Sequence, residues 1–136
     1  MVELHDQLIK LRETINNGAS HRFEVSIPSG AKVYLRGYGY TYHDNCTYNL
    51  HTGNTGFPTR TDQEGSPSIP RIFEGKGYEC RSGGILSLTI ANGSGSNQVF
   101  DVAFYLYTDQ LLNVPSFGGA LVLATESGGI TSNVVT

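Results

Sequence analysis

The stretch Val99-Phe100-Asp101-Val102-Ala103-Phe104-Tyr105-Leu106-Tyr107 sets Phe100, Val102, Phe104 and Leu106 in strict alternation with Asp101, Ala103, Tyr105 and Tyr107. A period of two sends the first set to one face of an extended chain and the second to the other, so this segment reads as a half-buried strand. Upstream, the polar run Asn92-Gly93-Ser94-Gly95-Ser96-Asn97 is a loop, and before it Ile85, Leu86, Leu88 and Ile90 form a strand that follows Gly83-Gly84. The same alternation recurs earlier. Phe23, Val25 and Ile27 alternate with Arg22, Glu24 and Ser26 up to Pro28-Ser29-Gly30, and Val33 and Leu35 resume it into Tyr38, Tyr40 and Tyr42. Cys46 to His51 reads as a further strand closed by Thr52 to Gly56, and Ile69 to Phe73 as a short one. Phe57 to Pro70, with three prolines, is a long irregular loop. Downstream, Leu121-Val122-Leu123 adds a last strand, and a weakly patterned tail runs over residues 127–136.

Seven to nine short strands with turn signals about every ten residues predict a mainly β fold. The expected form is a single antiparallel β-sandwich of jelly-roll or Greek-key type over residues 21–126, with a closed β barrel as the main alternative. A length of 136 residues suits one domain with one core. The composition agrees: 15% charged residues, 17 glycines, eight tyrosines, six phenylalanines and no tryptophan suit strands joined by tight turns.

Before the strands, Leu4, Leu8, Leu11 and Ile15 recur at spacings of four, three and four, while Glu3, Asp6, Lys10, Arg12 and Glu13 fall elsewhere on a helical wheel. This spacing predicts a short amphipathic helix over residues 1–17, ended by Asn16-Asn17-Gly18, with a hinge at 18–20. Such a helix is marginal alone, so its seam must be buried, either on its own domain or in a parallel bundle with copies of itself. The terminal position and the hinge favour the bundle, which makes Leu4, Leu8, Leu11 and Ile15 the expected oligomerisation residues.

The formal net charge of -3, with nine Lys and Arg scattered rather than grouped, argues against nucleic acid as a partner. No apolar run approaches the ~20 residues of a membrane-spanning helix, so no membrane insertion is expected. The first residues carry Glu3, His5 and Asp6 in place of a basic start and an apolar run, which points to a product folding in the cytoplasm that made it. That compartment favours free thiols at Cys46 and Cys80, the only two cysteines, over a disulfide between them.

Candidate chemistry is sparse. His43, Asp44, Cys46 and His51 are all legitimate metal ligands, but their spacing is not that of a finger site, and a strand sends neighbours to opposite faces. No serine lies in a nucleophile elbow, no cysteine has a general base near it in sequence, and Gly37-Tyr38-Gly39 lacks what a phosphate loop needs. Neither an enzyme nor a cofactor nor a metal is expected. The tyrosines are better placed for binding: in an uninterrupted strand Tyr38, Tyr40 and Tyr42 share one face. Edged by His43, Asp44 and Asn45, that row suits stacking on sugar rings. The competing reading assigns the same rings to the core or to a subunit interface.

In layout, a short amphipathic helix, a glycine hinge and a compact β module, the chain resembles the small virion-associated proteins of tailed bacteriophages: capsid decoration or cement proteins, head fibres and receptor-binding tips. The resemblance spans the whole chain and rests on no shared motif, so it assigns no functional residues. It implies a non-enzymatic structural protein of a virion, oligomeric with a trimer favoured, contacting capsid or tail proteins, and made in the host cytoplasm. A carbohydrate-binding module, lectin-like or receptor-binding and meeting a cell-surface glycan, is the alternative, with a cytoplasmic location as its counterpart.

Overall fold

The computed structural model describes residues 4–54, 71–73, 75–112, 120–125 and 133–135. Ten strands run through them: β1 (His5–Ile15), β2 (Ser20–Ser26), β3 (Val33–Tyr40), β4 (Thr47–His51), β5 (Arg71–Ile72), β6 (Tyr78–Glu79), β7 (Ile85–Ala91), β8 (Gln98–Thr108), β9 (Ala120–Thr125) and β10 (Asn133–Val135). They form two antiparallel sheets. The larger has the order β10-β9-β1-β8-β3-β5, with β6 also on β3, and the smaller has the order β2-β7-β4. The pairing is nested: β1 with β8, β2 with β7, and β3 with β6.

The segment that best resembled a helix is a strand. β1 pairs with β8 at every position from His5 opposite Thr108 to Ile15 opposite Gln98, and with β9 on its other side. No helix occurs among the described residues. The expected helix over residues 1–17 is therefore corrected for residues 5–15, and the seam Leu4, Leu8, Leu11 and Ile15 does not exist as a stripe. Leu4 and Ile15 are buried, whereas Leu8 and Leu11, of opposite parity, are half-buried on opposite faces of the sheet. β8 pairs the whole length of β1 and β9 pairs it over residues 5–8, a source of stability that a lone short helix lacks.

The expected hinge at 18–20 is a pinned corner between the sheets. Gly18, with φ +80°, donates to the Asn92 carbonyl at 2.8 Å, and Asn92 donates in turn to the Ala19 carbonyl at 2.9 Å. A left-handed backbone of this kind is why glycine follows Asn17. The remaining strands fall close to their expected places, and the weakly patterned tail contributes β10. Phe57 to Pro70 and residues 127–132 lie outside the described residues.

The inward faces of both sheets share one core. β8 supplies Phe100, Val102, Phe104 and Leu106, β1 supplies Ile9 and Ile15, and the smaller sheet supplies Phe23, Val25, Tyr48, Leu50, Leu86, Leu88 and Ile90. Each fully buried aliphatic or aromatic side chain contributes about 1.5–3 kcal/mol. Gln7 also occupies a core position on β1 and is fully buried. Its amide donates to the Leu112 carbonyl at 2.9 Å and accepts the Leu112 N–H at 3.0 Å, so the burial leaves no polar group stranded.

Both cysteines are free and buried. Burial pushes the Cys80 thiol up to about 12 from an ordinary 9.0, and burial raises Tyr48 and Tyr105 as well. A raised acid keeps its proton in the folded chain while the unfolded chain loses it. The associated stability is therefore complete below pH 9 and lost as pH rises through 12. Urea midpoints are expected to fall steadily between these limits, and iodoacetamide should label the thiols at neutral pH only after unfolding. Rapid labelling of the native chain would contradict the burial.

Candidate functional site

The tyrosine row divides at a bulge. β3 pairs with β8 as Tyr34 to Tyr107 and Leu35 to Leu106, then skips Arg36 and resumes as Gly37 to Tyr105 and Tyr38 to Phe104. The extra residue reverses the parity, so Tyr34 faces outward with Tyr107 while Tyr38 and Tyr40 turn into the core. Tyr38 is 2% exposed and Tyr40 is completely buried, so neither belongs to a surface platform. Tyr40 stacks on Tyr48 of β4 at 4.0 Å between centroids, linking the two sheets, and Tyr38 lies 5.8 Å from Phe73.

The other residues of the proposed platform are spread out. Tyr42 is half-buried with its ring 6.2 Å from Tyr48, and the half-buried His43 sets its ring edge-on to Phe100 at 5.0 Å. Asp44 and Asn45 are exposed, and Asn45 adopts φ +64° at the tip of the turn. The Tyr48 hydroxyl holds this turn: it accepts the His43 N–H at 3.0 Å and donates to the Thr41 carbonyl at 3.2 Å. Of the metal-type residues in the same region, Cys46 is in the core while His51 lies on the outer face of the smaller sheet. Among the described residues no group of three His, Cys, Asp or Glu converges as a metal site.

The outer face of the larger sheet carries a constellation that sequence reasoning missed. The bulge aims Arg36 across β8 toward Asp6 of β1, and Nη1 meets Oδ1 at 3.0 Å. The guanidinium carbon lies 5.1 Å from the Tyr107 ring centroid and 5.7 Å from that of Tyr105, within cation–π range. Lys76 sits 5.5 Å from the Tyr34 ring beside them. Burial, followed by the Asp6 charge, raises the Tyr105 hydroxyl, so it stays a neutral phenol beside the ion pair. The Asp6 and Arg36 side chains are only 11% and 28% exposed. Among the described residues, Arg36 Nε is a buried nitrogen without a hydrogen-bond partner.

The outer faces of the two sheets differ in kind. Leu8, Tyr34, Tyr105 and Tyr107 are half-buried on the larger sheet around the Arg36–Asp6 pair. The smaller sheet turns out Ser20, Arg22, Glu24, Asn49, His51 and Thr89. The aromatic face presents rings and a partly desolvated ion pair, the composition of an interface, whereas the other is a hydrated polar surface. The only sequence signals for this were Gly37 and Gly39, since glycine inside a strand marks a bulge or a close approach.

No model of a known protein family matches the chain, and comparison with curated proteins finds no match.

Proposed function

We propose that the chain is a non-enzymatic structural module of a virion, an oligomeric capsid decoration or fibre protein built on a jelly roll. Its copies would meet through the outer face of the larger sheet rather than through a helix. Nested pairing of β1 with β8, β2 with β7 and β3 with β6 supports the jelly roll, because rolling up one long antiparallel hairpin leaves alternate pairs in opposite sheets. Jelly rolls serve as capsid and lectin domains, so the virion assignment, with capsid or tail proteins as partners, is an analogy at the level of the fold.

The observation that carries self-association is the aromatic face of Tyr34, Tyr105, Tyr107 and Leu8 around Arg36, opposite a polar face on the other sheet. Tyrosine and arginine are the residues that concentrate binding energy at interfaces. Light scattering of the intact chain is expected to give a multiple of 14.7 kDa, with three copies favoured. Replacing the facing pair by Tyr34→Lys and Tyr107→Lys should weaken assembly by about 30-fold or more, the scale of one hot spot, while leaving the fold intact. A monomeric intact chain at micromolar concentration would remove the oligomer from this proposal.

The alternative, a carbohydrate-binding module, cannot use Tyr38 and Tyr40, which lie in the core. A saccharide would have to bind on another face.

A further inference from the structure

We propose an anion-selective saccharide site in the groove at one end of the outer face of the smaller sheet. The groove has a volume of about 390 Å³, and Arg22 of β2, His51 of β4 and Arg81 from the turn before β7 converge on it. The size is that of a pocket for a small ligand and much more than a bare oxyanion needs.

The local backbone is shaped to hold Arg81 against the end of β4. Gly53 adopts φ +95°, and a Cβ there would stand 2.9 Å from the Cβ of Arg81; one on Gly84 would meet the same atom at 2.9 Å. Only glycine at both positions lets the end of β4 and the turn before β7 close on Arg81. The Arg81 N–H donates to the Thr52 carbonyl at 3.1 Å, and the Gly84 N–H to the Arg81 carbonyl at 2.9 Å, which fixes the contact.

The groups that line the groove are mainly donors. His51 Nδ1 accepts the Gly53 N–H at 2.9 Å, so the neutral ring carries its proton on Nε2 and offers it as a donor. The Ser82 Oγ accepts the Gly30 N–H at 2.6 Å, which leaves its own hydroxyl proton free to donate. Among the described residues no carboxylate lines the groove, although the chain as a whole carries a net charge of -3. Glu24 approaches Arg22 at 3.4 Å, but that pair is exposed and weak enough for an anion to displace. Two guanidiniums for a carboxylate, flanked by an imidazole and a hydroxyl for ring hydroxyls and by Ile85 for the apolar face of a ring, match an acidic sugar.

This site lies on the sheet opposite the aromatic face and does not depend on self-association. The test is an NMR titration of the full chain with three probes: a trigalacturonate, a neutral trisaccharide and inorganic phosphate. Shifts confined to the groove residues with trigalacturonate, far weaker ones with the neutral sugar and phosphate, and at least a tenfold loss of affinity in the double variant Arg22→Gln, Arg81→Gln are expected. Both arginines are exposed, so the variant should keep its melting temperature and oligomeric mass. Equal binding of the neutral sugar, phosphate binding as tightly as the uronate, or no response to any probe would each overturn the assignment.

Discussion

Deleting residues 1–17 is expected to unfold the chain. An N-terminal helix could be removed to leave a folded domain of altered mass, but β1 is an interior strand of the larger sheet, paired with β8 along its length and with β9 over residues 5–8 on the other edge. The deletion takes Leu4, Ile9 and Ile15 out of the core, about 5–9 kcal/mol of apolar burial. It also exposes one edge of β8 and strands the backbone of Leu112, whose two partners are on Gln7. The loss is comparable to the ~5–15 kcal/mol that holds a typical domain together. Circular dichroism and proton NMR of the truncated chain should show lost strand signal and collapsed amide dispersion. A truncated chain with native dispersion would mean that β1 is dispensable.

The misreading of β1 has an identifiable cause. A strand buried on one face needs apolar residues at every second position, and the residues of β1 with inward parity are His5, Gln7, Ile9, Leu11, Glu13 and Ile15, three of them polar. Gln7 is tolerated because Leu112, distant in sequence, satisfies its amide, and no local pattern reveals such a partner. With the alternation broken, the accidental spacing of Leu4, Leu8, Leu11 and Ile15 matched a helical wheel. Tertiary pairing then outweighed a local periodicity of only about three turns.

Strands β2, β7 and β8 were easier to read because they obey the simple rule. Phe23 and Val25 of β2, Leu86, Leu88 and Ile90 of β7 and the four apolar residues of β8 are all buried, while their polar neighbours on β2 face out. In β3 a single residue changed the outcome. Without the bulge at Arg36, Tyr34 would have shared a face with Tyr38 and Tyr40; with it, the rings divide between the surface and the core. The candidate sites were illegible for a related reason. Asp6 and Arg36 lie on β1 and β3, separated by β8, and Arg22, His51 and Arg81 come from three segments. Only the strand order brings either set together.

Replacing Asn92 should be the most damaging single polar substitution, and the response to pH should identify the reason. Asn92 is 1% exposed at the corner where β1 passes into β2. Its Nδ2 donates to the Ile15 carbonyl at 2.8 Å and to the Ser96 carbonyl at 2.9 Å, while its Oδ1 accepts the Ser94 N–H at 3.0 Å. One amide thereby ties the end of β1 to the 92–97 loop, and no other side chain offers two donors and an acceptor in the same shape. Asn92→Ala leaves two carbonyls without these donors and should cost about 2–4 kcal/mol. Asn92→Asp keeps the shape but sets a buried carboxylate against two carbonyl oxygens, so at neutral pH it should cost more than alanine despite being isosteric. The sign of the pH effect follows. Burial raises the folded carboxyl above its unfolded value of about 3.9, and the proton it retains removes the charge and restores one donor. The excess cost of aspartate over alanine should shrink as pH falls through the raised folded value towards about 3.9, when both variants are compared with the parent chain at each pH. Urea midpoints of the three proteins measure this. A gap that stays constant with pH would mean that the side chain is not buried against those carbonyls, and the corner would have to be held by the backbone bonds of Gly18 and Ala19 alone.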